Sequence, residues 1–231
     1  MIDLYTWPTP NGHKVHIMLE EVGLEYKVIP VDINRGDQFR PDFLAISPNN
    51  KMPAMIDHDG PGGRSYSLFE SGAILMYLAD KTGRLLPQET GARYSVIQWL
   101  MFQMGSIGPL LGQTHHFRVY APEPIPYAVD RYTNEAARLY GVMDRRLAES
   151  EYLADEYSIA DIACFPWLRR PERQGQRRED FPNLQRWFDT IAARPAVQRG
   201  CEVLAEHQRT GPISAEAREN LFGAAQYKRS S

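Results

Sequence analysis

Cysteine is nearly absent from this sequence, with only Cys164 and Cys201 among 231 residues. The two cysteines are far apart, and neither belongs to a CxxC pair or to a His/Cys spacing typical of a metal site. We therefore expect no metal, and any sulfur chemistry must come largely from a ligand. Cys164 stands among Ile162, Ala163 and Phe165 and is interpreted as a small buried hydrophobic residue.

Long apolar runs are also lacking. Each is broken by Glu, Asp or Lys well before the roughly 20 residues that a bilayer requires, and residues 1–5 have no basic signal-peptide flank. The net charge of -3 gives no attraction to nucleic acid or to an anionic membrane. A hydrophobic fraction of 43% and a charged fraction of 24% are typical of folded soluble proteins, so we expect a cytoplasmic protein.

The first part of the chain alternates strand and helix patterns. Strands are predicted at residues 2–7 and 27–33, with a helix between them that Gly23 ends. Two further strands, at 53–58 and 65–69, are joined by a Gly- and Pro-rich turn and followed by a helix from Ser71. The order predicts a thioredoxin-like α+β domain, βαβαββα with a mixed four-stranded sheet, over residues 1–86.

The second part is predicted to be an all-α bundle domain over residues 87–209, followed by a polar, extended or frayed tail over 210–231. Ser158 and Asp161 form a variant capping box, in which each side chain bonds the backbone N–H of the other residue. This block is interpreted as structural. The predicted helices are 90–112, 126–150, 158–169 and 182–193.

Several short motifs, in this order and spacing, resemble the cytosolic glutathione transferase superfamily over nearly the whole chain. They are Met52-Pro53, Glu70-Ser71 and the capping box at 158–161. Three further stretches are similar to the bacterial nu class, whose members are glutathione-dependent disulfide reductases. These stretches are 9–12 (Thr-Pro-Asn-Gly), 38–41 with 47–51, and 112–117.

The resemblance implies a glutathione site in the first domain. A cis bond before Pro53 would turn the backbone of Met52 toward an open sheet edge, where it pairs with the cysteinyl part of glutathione. Glu70 and Ser71, at a helix N-terminus, would take the γ-glutamyl ammonium and carboxylate. The alternatives are an ordinary trans proline and plain helix capping.

The same resemblance implies binding roles for three more residues. Gln38 and Lys51 are candidates for the glycyl carboxylate, although a lone lysine is more often a solvated surface group. Arg131 matches a position that reaches the active site from the helical domain, where it would bind a carboxylate of glutathione or of a second glutathione. Its alternative partner is Asp130.

The turn 9–12 is placed to stabilise the glutathione thiolate. Thr9 precedes Pro10 as an N-cap precedes a proline at the first helical position, so its hydroxyl and the following amides would face the sulfur. Asn11 adds a carboxamide donor. Tyr5 is a rival donor, but packing is its more economical role. Because the turn has no cysteine, bound glutathione itself would attack the substrate disulfide.

The expected function is therefore a homodimeric glutathione transferase that reduces small disulfides, with peroxides as a further substrate class. Conjugation of glutathione to an electrophile and a non-enzymatic glutathione-binding regulator are the alternatives. Whether one or two glutathione molecules bind stays open. His115 and His116 are assigned to packing and hydrogen bonding, and the basic stretch 169–178 to a solvated surface or to an anionic second substrate.

Overall fold

The computed structural model describes residues 1–208 and 211–227. By their contacts these residues divide into two compact units. We call residues 1–74 with the described residues from 200 onward the N-terminal unit, and residues 75–199 the helical unit.

The strands are β1 Ile2–Thr6, β2 Tyr26–Pro30, β3 Ala54–Asp57 and β4 Tyr66–Phe69. The α-helices are α1 Pro10–Val22, α2 Pro41–Leu44, α3 Ser71–Thr82, α4 Thr90–Phe102, α5 Gly108–His115, α6 Pro126–Glu149, α7 Ile159–Cys164, α8 Pro182–Ala192, α9 Pro195–Glu202 and α10 Ala215–Phe222.

The four strands form one mixed sheet in the order β2-β1-β3-β4. β1 runs parallel to β2 and antiparallel to β3, and β3 runs antiparallel to β4. Ile2 and Leu4 are buried on one face of β1, as the period of two requires. This confirms the predicted thioredoxin-like order and the mixed sheet.

Helix α1 begins and ends where its sequence indicates. Thr9 is an extended N-cap followed by Pro10, and Gly23 adopts the left-handed conformation with φ 71°. The Gly23 amide donates to the Leu19 carbonyl at 2.9 Å, which closes the last turn. The predicted caps of this helix are confirmed.

The helical unit differs from the prediction in its internal breaks. The helix expected at 90–112 is divided by a π-helical turn at Gln103–Ile107, and α7 ends at Cys164. Pro166 lies in the 3₁₀ turn Phe165–Leu168 that follows, and its missing N–H accounts for the change. Cys164 is fully buried, which confirms its interpretation as a core residue.

The capping box of α7 is confirmed. Asp161 is fully buried and accepts hydrogen bonds from the Ser158 amide at 3.0 Å, the Leu153 amide at 3.1 Å and Trp187 Nε1 at 2.8 Å. Burial raises the pKa of Asp161 to about 6 despite these donors. The carboxyl group therefore joins the start of α7 to α8 and to the preceding loop.

The C-terminal residues are not the extended tail that the sequence predicts. Ser214 caps α10 by accepting the Ala217 amide at 3.1 Å, and a 3₁₀ turn follows at Ala224–Tyr227. Within the N-terminal unit, His207 stacks on Trp7 with ring centroids 4.9 Å apart. Residues 210 and 228–231 of the predicted tail, and residue 209 of the predicted helical domain, lie outside the described residues. The domain boundaries at 86 and 209 stay predictions.

No helix in the described part of the chain is both long and apolar enough to cross a bilayer.

Candidate functional site

The turn at the start of α1 and the loop before β3 meet in the N-terminal unit. Thr9 Oγ1 accepts the Gly12 amide at 3.3 Å and donates to Met52 Sδ at 3.5 Å. Asn11 is half-buried in the first turn of the helix. The structure therefore brings together the two segments that were predicted to hold the cysteinyl part of glutathione.

The bond between Met52 and Pro53 is cis, as the resemblance implied. One detail of the expectation needs correction, because β3 is not at an edge of the sheet. Ala54 is paired with Tyr5 of β1 and with Phe69 of β4. The backbone that could receive a ligand strand is thus the stretch before Ala54, where Met52 and Pro53 precede the first paired residue.

Glu70 and Ser71 lie at the N-terminus of α3. Glu70 has a left-handed φ of 70°, a strained value for a residue other than glycine, and its carbonyl accepts the Ile74 amide at 2.9 Å. Ser71 is the first residue of the helix and only 4% exposed. A strained residue beside a buried hydroxyl at a helix N-terminus is an arrangement suited to an anion.

Lys14 is a residue that the sequence analysis missed. Its side chain is 1% exposed, and Nζ donates to Ser71 Oγ at 3.2 Å. The only signal in the sequence is a lysine beside the apolar residues Val15 and Met18 of α1. A lysine in a surface helix usually faces solvent, so this signal does not single out the residue.

Gln38 and Lys51 are both bonded to the C-terminal residues of the N-terminal unit. Gln38 is 2% exposed, and its Nε2 donates to the carbonyls of Ile33 at 3.4 Å and Asn220 at 3.2 Å. Lys51 Nζ donates to Gln226 Oε1 at 2.6 Å, and burial lowers the pKa of Lys51. Both predicted donors to the glycyl carboxylate therefore have partners within the chain.

Arg131 is an exposed residue of α6 in the helical unit. Tyr5, the rival donor to the sulfur, packs its ring against Phe43 with centroids 6.3 Å apart. Burial, with Asp3 and Asp42 nearby, raises the pKa of Tyr5, so the phenol is a weaker acid than usual. Its predicted packing role is confirmed.

The helical unit contains a buried polar chain around His115. Gln174 Nε2 donates to His115 Nε2 at 3.1 Å and to the Trp167 carbonyl at 2.7 Å, while Tyr140 donates to Gln174 Oε1 at 2.6 Å. Burial and the charges of two arginines, Arg173 and Arg170, lower the pKa of His115 to about 4. His115 is thus neutral at pH 7 and serves in the packing and hydrogen bonding predicted for it.

The basic stretch 169–178 is partly packed rather than wholly solvated. Arg178 donates to the Leu168 carbonyl at 2.8 Å and lies 3.9 Å above the ring of Phe188. Arg177 pairs with Asp180 at 2.6 Å on the surface. Groups of three or more His, Cys, Asp or Glu that could hold a metal do not occur in residues 1–208 and 211–227.

Family models place the chain within a known class. The model of the glutathione S-transferase N-terminal domain matches residues 1–80, and that of the glutathione S-transferase C-terminal domain matches residues 109–195. The chain belongs to the glutathione S-transferase family.

Two curated relatives carry functional names. The disulfide-bond oxidoreductase YfcG of Escherichia coli K12 is 54% identical, over 85% of this chain and 93% of the relative. The disulfide-bond oxidoreductase YghU of the same strain is 40% identical, over 94% of this chain and 79% of the relative.

Solved structures of similar proteins contain glutathione. A glutathione transferase from Pseudomonas putida, with one glutathione disulfide per subunit, superposes with a TM-score of 0.84 at 49% identity, covering 88% of this chain and 91% of that one. A glutathione transferase family member from Pseudomonas fluorescens, with two glutathione molecules bound, gives 0.83 at 51% identity, covering 87% and 92%.

Proposed function

We propose that this protein is a glutathione-dependent disulfide-bond reductase of the bacterial nu class, in which the thiolate of bound glutathione is the nucleophile. The observation that carries the proposal is the meeting of Thr9 and Met52 at the start of α1 in a turn without cysteine. The names of the two Escherichia coli relatives support the reaction, and the glutathione in the solved structures supports the ligand.

The role proposed for the turn is stabilisation of a thiolate. A cysteine thiol titrates near pH 8.5, so only a few per cent is ionised at neutral pH without help. The Thr9 hydroxyl, the amides of the first turn of α1 and the Asn11 carboxamide are donors that favour the anion. In the complex the Thr9 hydroxyl would turn from Met52 Sδ to the glutathione sulfur.

The reaction balances with glutathione alone. The thiolate attacks one sulfur of the substrate disulfide, forms a mixed disulfide and releases the other half as a thiolate, which takes up a proton. A second glutathione thiolate then attacks the mixed disulfide, so that glutathione disulfide forms and the remaining substrate thiol leaves. The substrate is reduced by two electrons and two glutathione molecules are oxidised.

We assign the remaining contacts to the three parts of glutathione in turn. The backbone of Met52, beside Pro53, pairs with the cysteinyl part, while Glu70 and Ser71 bind the γ-glutamyl group. Gln38 and Lys51 bind the glycyl carboxylate once their present partners have moved. Arg131 contributes a carboxylate contact from the helical unit. These roles rest on the resemblance and on the burial and position of the residues described above.

Conjugation is the second candidate. Ure2p, 34% identical with a TM-score of 0.81 over 87% of this chain and 97% of that one, has been solved with S-hexylglutathione. A similar fold therefore accepts glutathione whose sulfur carries an alkyl group, which is the product type of a conjugation reaction.

We further propose a homodimer in the cytoplasm, where the two thiols would stay reduced. Large apolar side chains are exposed in each unit: Tyr66 and Phe69 on β4, and Tyr94 and Met101 on α4. Such residues are common at subunit interfaces. Sedimentation equilibrium would show twice the 26.4 kDa chain mass, and a monomer at micromolar concentration would contradict the proposal.

The experiment is an assay of the purified protein with glutathione and bis(2-hydroxyethyl) disulfide, run beside a chlorodinitrobenzene conjugation assay. We expect the disulfide to be the better substrate. In the double variant Thr9→Ala/Asn11→Ala, the pKa of the bound glutathione thiol, followed by thiolate absorbance, should rise by about one to two units. An unchanged thiol pKa with unchanged reduction would refute the assignment of the turn.

A further inference from the structure

The pair Lys14–Ser71 joins the first turn of α3 to the middle of α1. Lys14 and Ser71 are 1% and 4% exposed, and the Nζ–Oγ distance is 3.2 Å. Lys14 has no place in the site as deduced from the sequence. Ser71, to which Lys14 donates, is the residue proposed to bind the γ-glutamyl carboxylate.

The direction of this hydrogen bond follows from the chemistry of the two groups. An ammonium has three donors and no acceptor, so Ser71 Oγ must accept from Lys14. The hydroxyl proton of Ser71 is then directed to a different acceptor. Lys14 thus fixes the orientation in which the hydroxyl can donate to an anion at the N-terminus of α3.

The charge of Lys14 acts in the same direction. In a buried site the effective dielectric constant is lower than in water, so a positive charge next to Ser71 attracts a carboxylate more strongly than a solvated lysine would. The N-terminal amides of α3 add their own positive potential. The three contributions converge on the position of one anionic group.

We propose that Lys14 is a positioning residue for the γ-glutamyl end of glutathione: it orients the Ser71 hydroxyl and supplies the positive charge that holds the carboxylate. This proposal rests on the proposed function. Lys14 affects affinity for glutathione and leaves the chemistry at the sulfur to the turn 9–12.

The test compares Lys14→Met, Ser71→Ala and the double variant by calorimetric titration with glutathione and with cysteinylglycine, which lacks the γ-glutamyl group. Lys27→Met, at an exposed lysine of β2, is the matched control. Lys14→Gln is a second variant in case Lys14→Met does not fold. We expect Lys14→Met to raise the Kd for glutathione about tenfold and to leave that for cysteinylglycine unchanged.

Further readouts separate this role from a purely structural one. The effects of Lys14→Met and Ser71→Ala on glutathione binding should be less than additive, and KM for glutathione should rise while kcat and the bound thiol pKa stay near wild type. Equal losses for both ligands, or an unchanged Kd for glutathione, would overturn the proposal. Failure of the proposed function would appear instead as wild-type protein that binds glutathione without reducing the disulfide.

A second inference concerns residues 214–227, which we call the C-terminal strap. The Asn220 carbonyl accepts from Gln38, Gln226 accepts from Lys51, and Asn220 Nδ2 donates to the Asn34 carbonyl at 2.8 Å. The strap therefore occupies both donors that were assigned to the glycyl carboxylate. Gln38 Oε1 is buried with no hydrogen-bond partner in the described part of the structure, which is a cost of this arrangement.

We propose that the strap is an autoinhibitory cover that competes with the glycyl carboxylate for Gln38 and Lys51. A carboxylate is a stronger partner for the Lys51 ammonium than the neutral amide oxygen of Gln226, because it carries a full negative charge. Glutathione would thus displace the strap from Lys51. This inference also rests on the proposed function.

Gln226→Ala tests the competition in the full chain, with Glu216→Ala, an exposed residue of α10, as the control. We expect Gln226→Ala to lower the Kd for glutathione severalfold and to leave that for γ-glutamylcysteine, which has no glycine, unchanged. Glutathione should also speed amide exchange in residues 215–227. Slower exchange, or equal or weaker binding by Gln226→Ala, would overturn the proposal, whereas disulfide reduction by wild type tests the function separately.

Discussion

The candidate site leaves no room for a side chain at Gly12. A Cβ there would lie 2.1 Å from the Trp7 carbonyl oxygen and 3.0 Å from Met52 Cε. Gly12→Ala must therefore displace backbone, and we expect it to lower the free energy of unfolding by at least about 2 kcal/mol. Urea denaturation measures this loss. Gly105→Ala, where a Cβ meets nothing within 4 Å, is the control and should change stability by less than about 0.5 kcal/mol.

His16 predicts a pH dependence of stability. Its Nε2 lies 2.8 Å from Thr6 Oγ1, and burial, with His13 beside it, lowers the pKa of His16 to about 3 from 6.5. The folded state therefore resists protonation while the unfolded state accepts it. Stability is therefore unaffected by His16 above pH 6.5 and falls as the pH drops from 6.5 toward 3, because only the unfolded state takes up the proton. The stability lost at pH 5 is about 2 kcal/mol.

The variant His16→Gln removes the titrating imidazole and so measures how much of the pH dependence of stability comes from His16. The difference in unfolding free energy between wild type and variant should be about 2 kcal/mol smaller at pH 5 than at pH 8. A difference that does not change with pH would mean that His16 is protonated equally in both states.

Individual site residues differ in how far the sequence predicts them. The N-cap role of Thr9 is predicted by the proline that follows it, and the cis bond before Pro53 is predicted by the motif resemblance. Each prediction uses only residues that are adjacent in the sequence. Lys14 and the contacts of Gln38 are not predicted, because their partners are distant in the sequence. Gln38 and Asn220 are 182 residues apart.

At the scale of elements, the start of α7 is the feature that the sequence predicts best. Ser158 and Asp161 form the expected box, and the structure adds the contacts to Trp187 and Leu153. Ser158→Ala should lower the free energy of unfolding by about 0.5 to 2 kcal/mol. Asp161→Ala should cost more, about 3 kcal/mol, because it leaves several buried donors unpaired. Thermal or urea unfolding checks the order, and an equal effect of the two variants would contradict it.

Sequence patterns missed the π-helical turns that interrupt the helices, and they missed helices α9 and α10. The π-helical turns at Gln103–Ile107 and His116–Tyr120 continue a helical pattern, so periodicity does not mark them. α10 is short and polar, and Ala217 is its one buried residue. A helix with so small an apolar face is stabilised by contacts distant in sequence, such as Asn220 with Asn34.

At the scale of the whole molecule, the N-terminal unit contains all the proposed glutathione contacts except Arg131. Residues from both ends of the chain form this unit, since Trp7 and Gln38 contact residues beyond position 200. A sequence pattern gives the order of the strands, but it does not show that the last described residues contact Asn34, Gln38 and Lys51 in the segment between β2 and β3. Those contacts are why the predicted tail became part of the candidate site.

The central claim is that bound glutathione, rather than a protein cysteine, is the nucleophile. The most direct test is the cysteine-free variant Cys164→Ala/Cys201→Ala, with folding checked by circular dichroism and Cys164→Val as a larger replacement for the buried core position. The measurement is kcat/KM for glutathione-dependent reduction of bis(2-hydroxyethyl) disulfide. We predict a value within about twofold of wild type, because neither cysteine takes part in the exchange. A folded cysteine-free protein that had lost reduction by a factor of about 10² or more would contradict the account.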